Sequence, residues 1–477
     1  MTRVRPDPII VLFRNDLRIS DNRALSSAVE AGRPLVTLFI FDEGLQDTRP
    51  AGAASRWWLH HSLLALSNAL EKLGANLVLR QGSTPEIVAE TVRATGADAV
   101  FWNRRYSPPD IAADTILKST LRANGLKAES FDGFLLHEPS QLSTRSGDFY
   151  KVFTPFYNRL SEIDPRDPVD MPSQITAWKG TLRSENLDDF NLLPKEPNWS
   201  SGLAERWHPG EAGAKDRLQL FLEDRLDSYA DDRNVPGVEG TSGLSPHLAH
   251  GEISPFQIMA ALRHRRAKGA ETFRKEISWR EFSYHLLFNR PKLHLENFRP
   301  EFDSLNWRSA PSALKAWQRG RTGYPIVDAG MRELWQTGWM HNRVRMITAS
   351  FLIKDLLVDW RDGEEWFWGT LVDADPANNA ASWQWVAGSG ADAAPYFRIF
   401  NPILQGEKFD PEGAYVRRYV PELTRLPNRY VHRPFEAPAS LLAECGVTLG
   451  ENYPSPLIDH AAARERALEA YKYTRGG

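Results

Sequence analysis

The stretch "NLVLRQGSTPEIVAETVRATGADAVFWN", residues 76–103, reads as strand, helix, strand. "NLVLR" (76–80) and "AVFWN" (99–103) are short apolar, β-rich runs, and "TPEIVAETVRATG" between them has helical spacing. The same alternation runs upstream. "IIVLF" (9–13) and "LVTLFIF" (35–41) read as strands, and "DNRALSSAVEAG" and "SRWWLHHSLLALSNALEKLG" as helices. Residues 1–135 are therefore expected to form an α/β domain, a Rossmann-like parallel sheet with helices on both faces. Ligands in such sheets sit beyond the carboxyl ends of the strands. No GxGxxG follows the first strand, so a dinucleotide fingerprint is absent there.

Working outward, residues 136–205 change character. "SEIDPRDPVDMPS" and "LLPKEPNWSSG" are rich in Pro, Asp and Ser, which predicts a long, mostly irregular interdomain linker. From 206 to 477 the pattern is helical, with Pro and Gly as stops, and predicts an all-α domain. With 477 residues, 42% hydrophobic and 25% charged, the chain has ordinary globular composition and room for more than one core. No uncharged apolar run of about 18 residues predicts a membrane span. The opening "MTRVRPDPIIVLFRNDLR" reaches Asn15 and Asp16 too soon for a secretion signal. The single cysteine, Cys445, excludes an internal disulfide and a Cys-based zinc cage, and points to a reducing, cytoplasmic setting. A net charge of −3 argues against a uniformly basic coat but allows a local basic groove. Of 16 tryptophans, ten fall between Trp279 and Trp385. They read either as a large aromatic core or as stacking surfaces and a relay of redox-active rings.

In "VDADPANNAASWQWVAGSG" (372–390), Asp375 and Pro376 mark a helix start. Asp375, Asn379 and Trp383 then share one face at i, i+4, i+8. The bland alternative is a cap, an exposed Asn and a core Trp. "TGWMHNRVRMITASFLIKDLLVDW" (337–360) has helical periodicity. It puts Asn342, Arg345, Met346 and Ala349 on one face, with Arg343 elsewhere and Trp360 continuing the face at its far end. Arg345 is placed to pair with Asp373 or Asp375, or else is simply solvated. "GTSGLSPHLAHGEISP" (240–255) sets Thr241, Ser242 and Ser245 ahead of a helix with Pro246 in its first turn. Hydroxyls and open backbone N–H groups there suit a phosphate, or form a simple capping box. Tyr229 upstream is available to cover an aromatic ring or a ribose. Basic residues gather in "ALRHRRAKGAETFRK" (261–275), "HNRVR" and "YVRRYV". With Trp279 and Trp385 they read as a groove for phosphates and bases, or as solvated faces.

These residues resemble the photolyase/cryptochrome family, and within it the cyclobutane pyrimidine dimer (CPD) DNA photolyases. The resemblance covers nearly the whole chain. It rests on "LFRNDLRISDNRAL", "GTSGLSPHLAHGEISP", "WREFSYHL", "TGYPIVDAGMREL", "TGWMHNRVRMITASFLIKDLLVDW" and "DAAPYFRIFNPILQGEKFD", in order. It implies FAD in the helical domain, with its phosphates and sugar held by Tyr229, Thr241, Ser242, Gly243, Leu244 and Ser245. It implies an Arg345–Asp373 ion pair beside the isoalloxazine, with Ala374 between Asp373 and Asp375. Asp375 would serve the sugar or adenine side, and Asn379 would face flavin N5. For substrate it implies a dimer flipped out of UV-damaged DNA. Trp279 and Trp385 would wedge it, Glu276 and Asn342 would hydrogen-bond it, and Met346 would pack on it. Arg233, Arg343 and Arg398 would take flanking phosphates and Gln405 the strand backbone. Trp383, Trp360 and Trp307 would carry electrons from the surface to the flavin.

The implied cycle is redox-neutral: light drives an electron from reduced FAD to the dimer, two C–C bonds open, and the electron returns. Asn342 stands where (6-4) photolyases have a second histidine, which favours CPD lesions. Asn379 stands where plant cryptochromes commonly have an acid and animal ones often a cysteine, which favours repair over a blue-light sensor. The chain is expected to lack a long signalling tail, to need no metal and to act as a monomer. The N-terminal half is similar to plant cryptochromes and class III photolyases. The Asn–Glu pair that class I members use for folate is not evident in "FWNRRYSPPD" (101–110). The resemblance therefore implies methenyltetrahydrofolate (MTHF) bound at a different site, with a deazaflavin or no antenna as alternatives.

Overall fold

The computed structural model describes residues 7–44, 48–393 and 397–474, so three residues of the "DAAPYF" motif, 394–396, lie outside the described residues. The chain forms two compact units that interleave along the sequence. The first comprises the described residues up to Tyr150, then Thr154–Asp224 and Ser242–Pro291. The second comprises Lys151–Phe153, Arg225–Thr241 and the described residues from Lys292 onward. Composition and packing thus divide the chain differently. Much of the helical sequence between 206 and 291 packs into the unit that holds the sheet.

In the first unit, β1 (Ile9–Phe13), α1 (Arg23–Glu30), β2 (Leu35–Phe41), α2 (Ala53–Lys72), β3 (Leu77–Gln81), α3 (Thr84–Thr95) and β4 (Ala99–Asn103) alternate as expected, and α4 (Pro108–Ala123) and β5 (Lys127–Phe131) continue the alternation beyond the elements read from the sequence. The strands are all parallel, in the order β3-β2-β1-β4-β5. Successive side chains leave a strand on opposite faces. Ile9, Val11 and Phe13 pack with Leu25 of α1 and Leu63, Leu66 and Leu70 of α2. Ile10 and Leu12 pack with Ile87 and Val88 of α3 and Leu117 and Leu121 of α4. Both faces are covered, so the strands read as continuous apolar runs rather than alternating ones.

Strand order reverses between β1 and β4, the crevice where a ligand was expected. The chain's own side chains fill it. Buried Arg14 donates to the Asn103 carbonyl at 3.0 Å and pairs with Asp114. Asn103 Nδ2 donates to Asp16 Oδ2 (2.7 Å) and Asn22 Oδ1 (2.8 Å).

The segment predicted as linker is largely irregular but tied down. Ile175 and Trp178 bond the backbone at Leu73 and Leu35, and Glu185 N–H reaches Leu79 O at 2.8 Å. The Glu185 bond occupies part of the β3 edge, where unpaired backbone groups would invite another strand. The unit also holds a helix at Lys268–Asn289.

The second unit is helical, built around one aromatic core that includes Trp317, Phe351, Trp360, Trp383, Tyr415 and Tyr453.

Candidate functional site

In the second unit, the stretch around Asp375 starts a helix, but differently from the simple reading. The regular helix runs Asn378–Ala387. Asp375 Oδ1 accepts from the N–H groups of Ala377 (2.9 Å) and Asn378 (2.7 Å) and from Asn378 Nδ2 (2.9 Å). Its carbonyl accepts from Asn379 N–H at 3.0 Å, the first helical bond. Asp375 is therefore the functional cap of a tightened first turn. Asp375, Asn379 and Trp383 are all buried on one face, which overturns the bland alternative of an exposed Asn379. Asn379 Nδ2 donates to the Glu364 carbonyl (3.0 Å) and to Glu364 Oε1 (2.7 Å). Both amide hydrogens point at Glu364, so Oδ1 is the part of the amide left to meet a ligand, as an acceptor. Nothing in the sequence singled out Glu364.

Arg345 and Asp373 do pair. Arg345 Nη2 lies 3.1 and 2.8 Å from the two carboxylate oxygens, and its Nε donates to the Met340 carbonyl at 2.7 Å. One guanidinium nitrogen spans both carboxylate oxygens while Nε is anchored on the backbone, which fixes both groups. Ala374 is half-buried against the core.

The helix carrying Arg345 spans Asn342–Ser350 and passes into a π-helical turn at Phe351–Asp355. Leu357 then takes a positive φ of 56°, and a new helix begins at Trp360. Trp360 is therefore not a continuation of the Asn342–Met346 face, as the periodicity predicted. The positive φ breaks the helix, and periodicity alone cannot see such a break. Asn342 is exposed, and Met346 and Arg345 are half-buried. His341 caps this helix, and its own N–H is held by buried Glu333 at 3.1 Å.

Trp383, Trp360 and Trp307 belong to or pack on the same core. Trp383 approaches closely because Gly363 lacks a side chain: a Cβ there would lie 2.2 Å from the indole. The ring neighbours of Trp383 are Phe367 at 4.9 Å and Trp317 at 6.2 Å. Trp360 Nε1 donates to Asn297 at 3.0 Å. Trp385 is half-buried against this core.

Arg343 diverges from Arg345, as expected. It donates to Asn234 at 2.6 Å and lies 4.4 Å over Phe409. Burial lowers its pKa first, and the nearby charges of Arg233 and Arg398 lower it further. Three arginines close enough to repel one another favour an anion between them. Gln405 is half-buried on the helix Pro402–Phe409. Tyr229 is buried, with Arg233 5.8 Å over its ring. The Thr241 carbonyl is held by Arg225 at 3.1 Å.

In the first unit, Ser242 Oγ accepts from Leu244 N–H at 3.3 Å, and Gly243 turns the chain at φ 64°. The helix Ser245–Ala249 starts without a side-chain cap. The capping box considered for this stretch occurs one helix later, at Ser254 and Gln257. Buried Glu252 anchors the segment. It accepts from Trp58 Nε1 (2.9 Å) and Gly210 N–H (2.7 Å), and bonds Ser62 and His247. Glu276 and Trp279 are half-buried on the helix Lys268–Asn289.

Sequence reasoning missed a cavity in the second unit of about 620 Å³, lined by Lys315, Arg319, Arg332, Trp335, Gln336 and Trp366 among others. The Trp335 and Trp366 rings lie 6.1 Å apart and 8° from parallel. Trp335 is 56% exposed, unusual for an indole without a ligand or partner. Only the tryptophan count hinted at it.

The first unit is a doubly wound α/β sheet, and the helical unit carries an oriented buried amide, an Arg345–Asp373 ion pair and an arginine cluster suited to an anion. Comparison with known proteins supplies the class. Residues 9–173 match the family model described as DNA photolyase, and residues 273–473 the one described as FAD binding domain of DNA photolyase. The chain is 55% identical over 97% of both sequences to a deoxyribodipyrimidine photo-lyase of Agrobacterium fabrum. It is 37% identical to cryptochrome-1 of Arabidopsis thaliana, covering 97% of this chain and 70% of that one. A solved bacterial class III photolyase from Agrobacterium tumefaciens superimposes with a TM-score of 0.97 at 54% identity, covering 100% and 99% of the two chains. The chain belongs to the photolyase/cryptochrome family.

Proposed function

We propose that the chain is a deoxyribodipyrimidine photo-lyase, a carbon–carbon lyase that uses light to repair cyclobutane pyrimidine dimers in UV-damaged DNA. The observation that carries this reading is the 55% identity to a photo-lyase across 97% of both chains. The residues fit FAD. The Asn379 amide presents an acceptor, and the Arg345–Asp373 pair supplies a fixed dipole with no net charge. The uncapped first turn at Ser245, with Thr241, Ser242, Gly243 and Leu244 before it, has the donors for phosphate oxygens. Tyr229 and Asp375 complete the proposed set. These residues would hold reduced FAD, which when bound would supply the photo-excited electron that opens the dimer and would take it back afterwards.

The chain's own residues do the rest. Trp279 and Trp385 each offer an aromatic face for the flipped dimer to stack on. Asn342 hydrogen-bonds its edge, Met346 packs against it, and Glu276, as the protonated acid, donates a hydrogen bond to the carbonyl where negative charge develops. Arg233, Arg343 and Arg398 neutralise flanking phosphates and Gln405 bonds the strand backbone. Trp307, Trp360 and Trp383 would relay electrons from an external reductant at the surface toward oxidised cofactor. The antenna is MTHF, and the cavity at Trp335 and Trp366 is its place. Near-parallel indoles suit a flat pterin, and exposed Lys315 and Arg319 suit its glutamate carboxylates. The protein works as a monomer in the cytoplasm. No described helix is long and apolar enough to cross a membrane.

The test is illumination of purified, reduced protein with DNA carrying defined thymine dimers. Loss of dimers only in the light supports the reading. Unchanged dimers with fully reduced flavin reject it in favour of a blue-light sensor. A near-UV absorbance band beyond that of FAD, lost in Trp335→Ala, supports the antenna assignment.

A further inference from the structure

We propose that the turn Arg263–Arg266 is a phosphate-binding extension of the DNA surface, meeting the duplex several nucleotides from the flipped dimer. The inference rests on the photo-lyase reading for its partner. In a chain of net charge −3, Arg263, His264, Arg265 and Arg266 are consecutive and all exposed. The turn joins the helix Pro255–Leu262 to the helix Lys268–Asn289. It is held in shape from below: Arg274 Nη2 donates to the carbonyls of Leu262 and Arg265, the second at 2.9 Å. The backbone is thus fixed while the basic side chains stay outside.

Nearby acids are already engaged. Asp167 pairs with Arg263, and Glu271 with Lys275 at 2.8 Å. Among the described residues, no ion pair involves Arg265 or Arg266.

The turn also lies at the head of one open helix face. Lys268, Glu271, Thr272, Lys275, Glu276 and Trp279 are not buried and stand at i, i+3, i+4, i+7, i+8 and i+11, one face of the helix. From Arg280 to Leu287 every residue is buried, so the open face ends at Trp279. A rise of 1.5 Å per residue puts the turn roughly 16 Å from Trp279. On one strand, phosphates recur about every 3.4 Å of duplex axis, so a duplex whose axis runs along this face passes about five phosphates of that strand before the turn.

The test is Arg265→Gln/Arg266→Gln in the full chain, leaving the Arg274 bonds to backbone intact. On a duplex of about 20 base pairs, the slope of log binding constant against log salt is expected to fall by about 2, near 0.9 per phosphate lost. The change should be the same for damaged and undamaged duplex, since phosphate contacts carry no sequence information. On a dimer-containing trinucleotide, too short to reach the turn, the variant should bind as the wild type does. An unchanged slope on the duplex, as expected of merely solvated charge, overturns the inference. So does an equal loss on the trinucleotide. Wild-type protein that fails to repair dimers defeats the functional reading instead, and the slope on undamaged duplex still reports on the turn.

Discussion

At the scale of single residues, the site is built from groups whose partners leave one atom to act. Asn379 is the clearest case: Glu364 takes both amide hydrogens, so an acceptor remains. Glu276, half-buried three residues before Trp279, is expected to act on the developing charge rather than on binding. Glu276→Ala should lower repair per photon by about a few-fold while dimer-DNA affinity persists. Quantum-yield and binding measurements on the same preparation check this, and equal yields refute it. Trp383 is buried beside Phe367 and Trp317. Trp383→Phe should abolish photoreduction of oxidised FAD yet leave repair by pre-reduced enzyme intact. Normal photoreduction, followed by absorbance under blue light, would count against the relay.

At the scale of elements, helix starts matter more than helix interiors. Asp375 satisfies two backbone N–H groups and a side-chain amide of the helix that carries Asn379, Trp383 and Trp385. Asp375→Ala should destabilise the second unit by about 1–2 kcal/mol, the range for losing a good cap, seen as a lower denaturant midpoint. Asp375→Asn should recover part of it. Strands β1–β4, helices α1–α3 and the face shared by Asp375, Asn379 and Trp383 were legible in the sequence, because short apolar runs and a period of 3.6 are local properties; α4 and β5 were not read from it. The break at Leu357 was not legible, since a positive φ at a leucine has no sequence signal. The filled crevice between β1 and β4 was equally hidden. It depends on Asn103 meeting Asp16 and Asn22 across the sheet.

At the scale of the molecule, buried titratable groups tie stability to pH. His285 in the first unit is fully buried. Desolvation first, then the neighbouring His137, hold its pKa down to about 4. Its pKa in the unfolded chain is near 6.5. Between these values the unfolded state binds the extra proton, so stability is complete above about pH 6.5 and falls as pH drops toward 4. The loss is at most about 3 kcal/mol from this group. His285→Gln should flatten that part of the stability–pH curve, as followed by chemical denaturation across the range. An unchanged slope would assign the acid sensitivity elsewhere.

The sequence by itself determined the α/β alternation, the helical half, the family resemblance and the residues that resemblance marks. Those follow from local periodicity and ordered motifs. Packing in three dimensions set the rest: Arg345 grips Asp373 rather than Asp375, Glu364 orients Asn379, and Trp335 and Trp366 stack beside a cavity. Each of these joins residues on different elements, and side-chain partners are set by packing, which a linear spacing does not encode. For the stretch 372–390, spacing supplied the shared face, and packing supplied the partners that let Asn379 and Trp383 do different work.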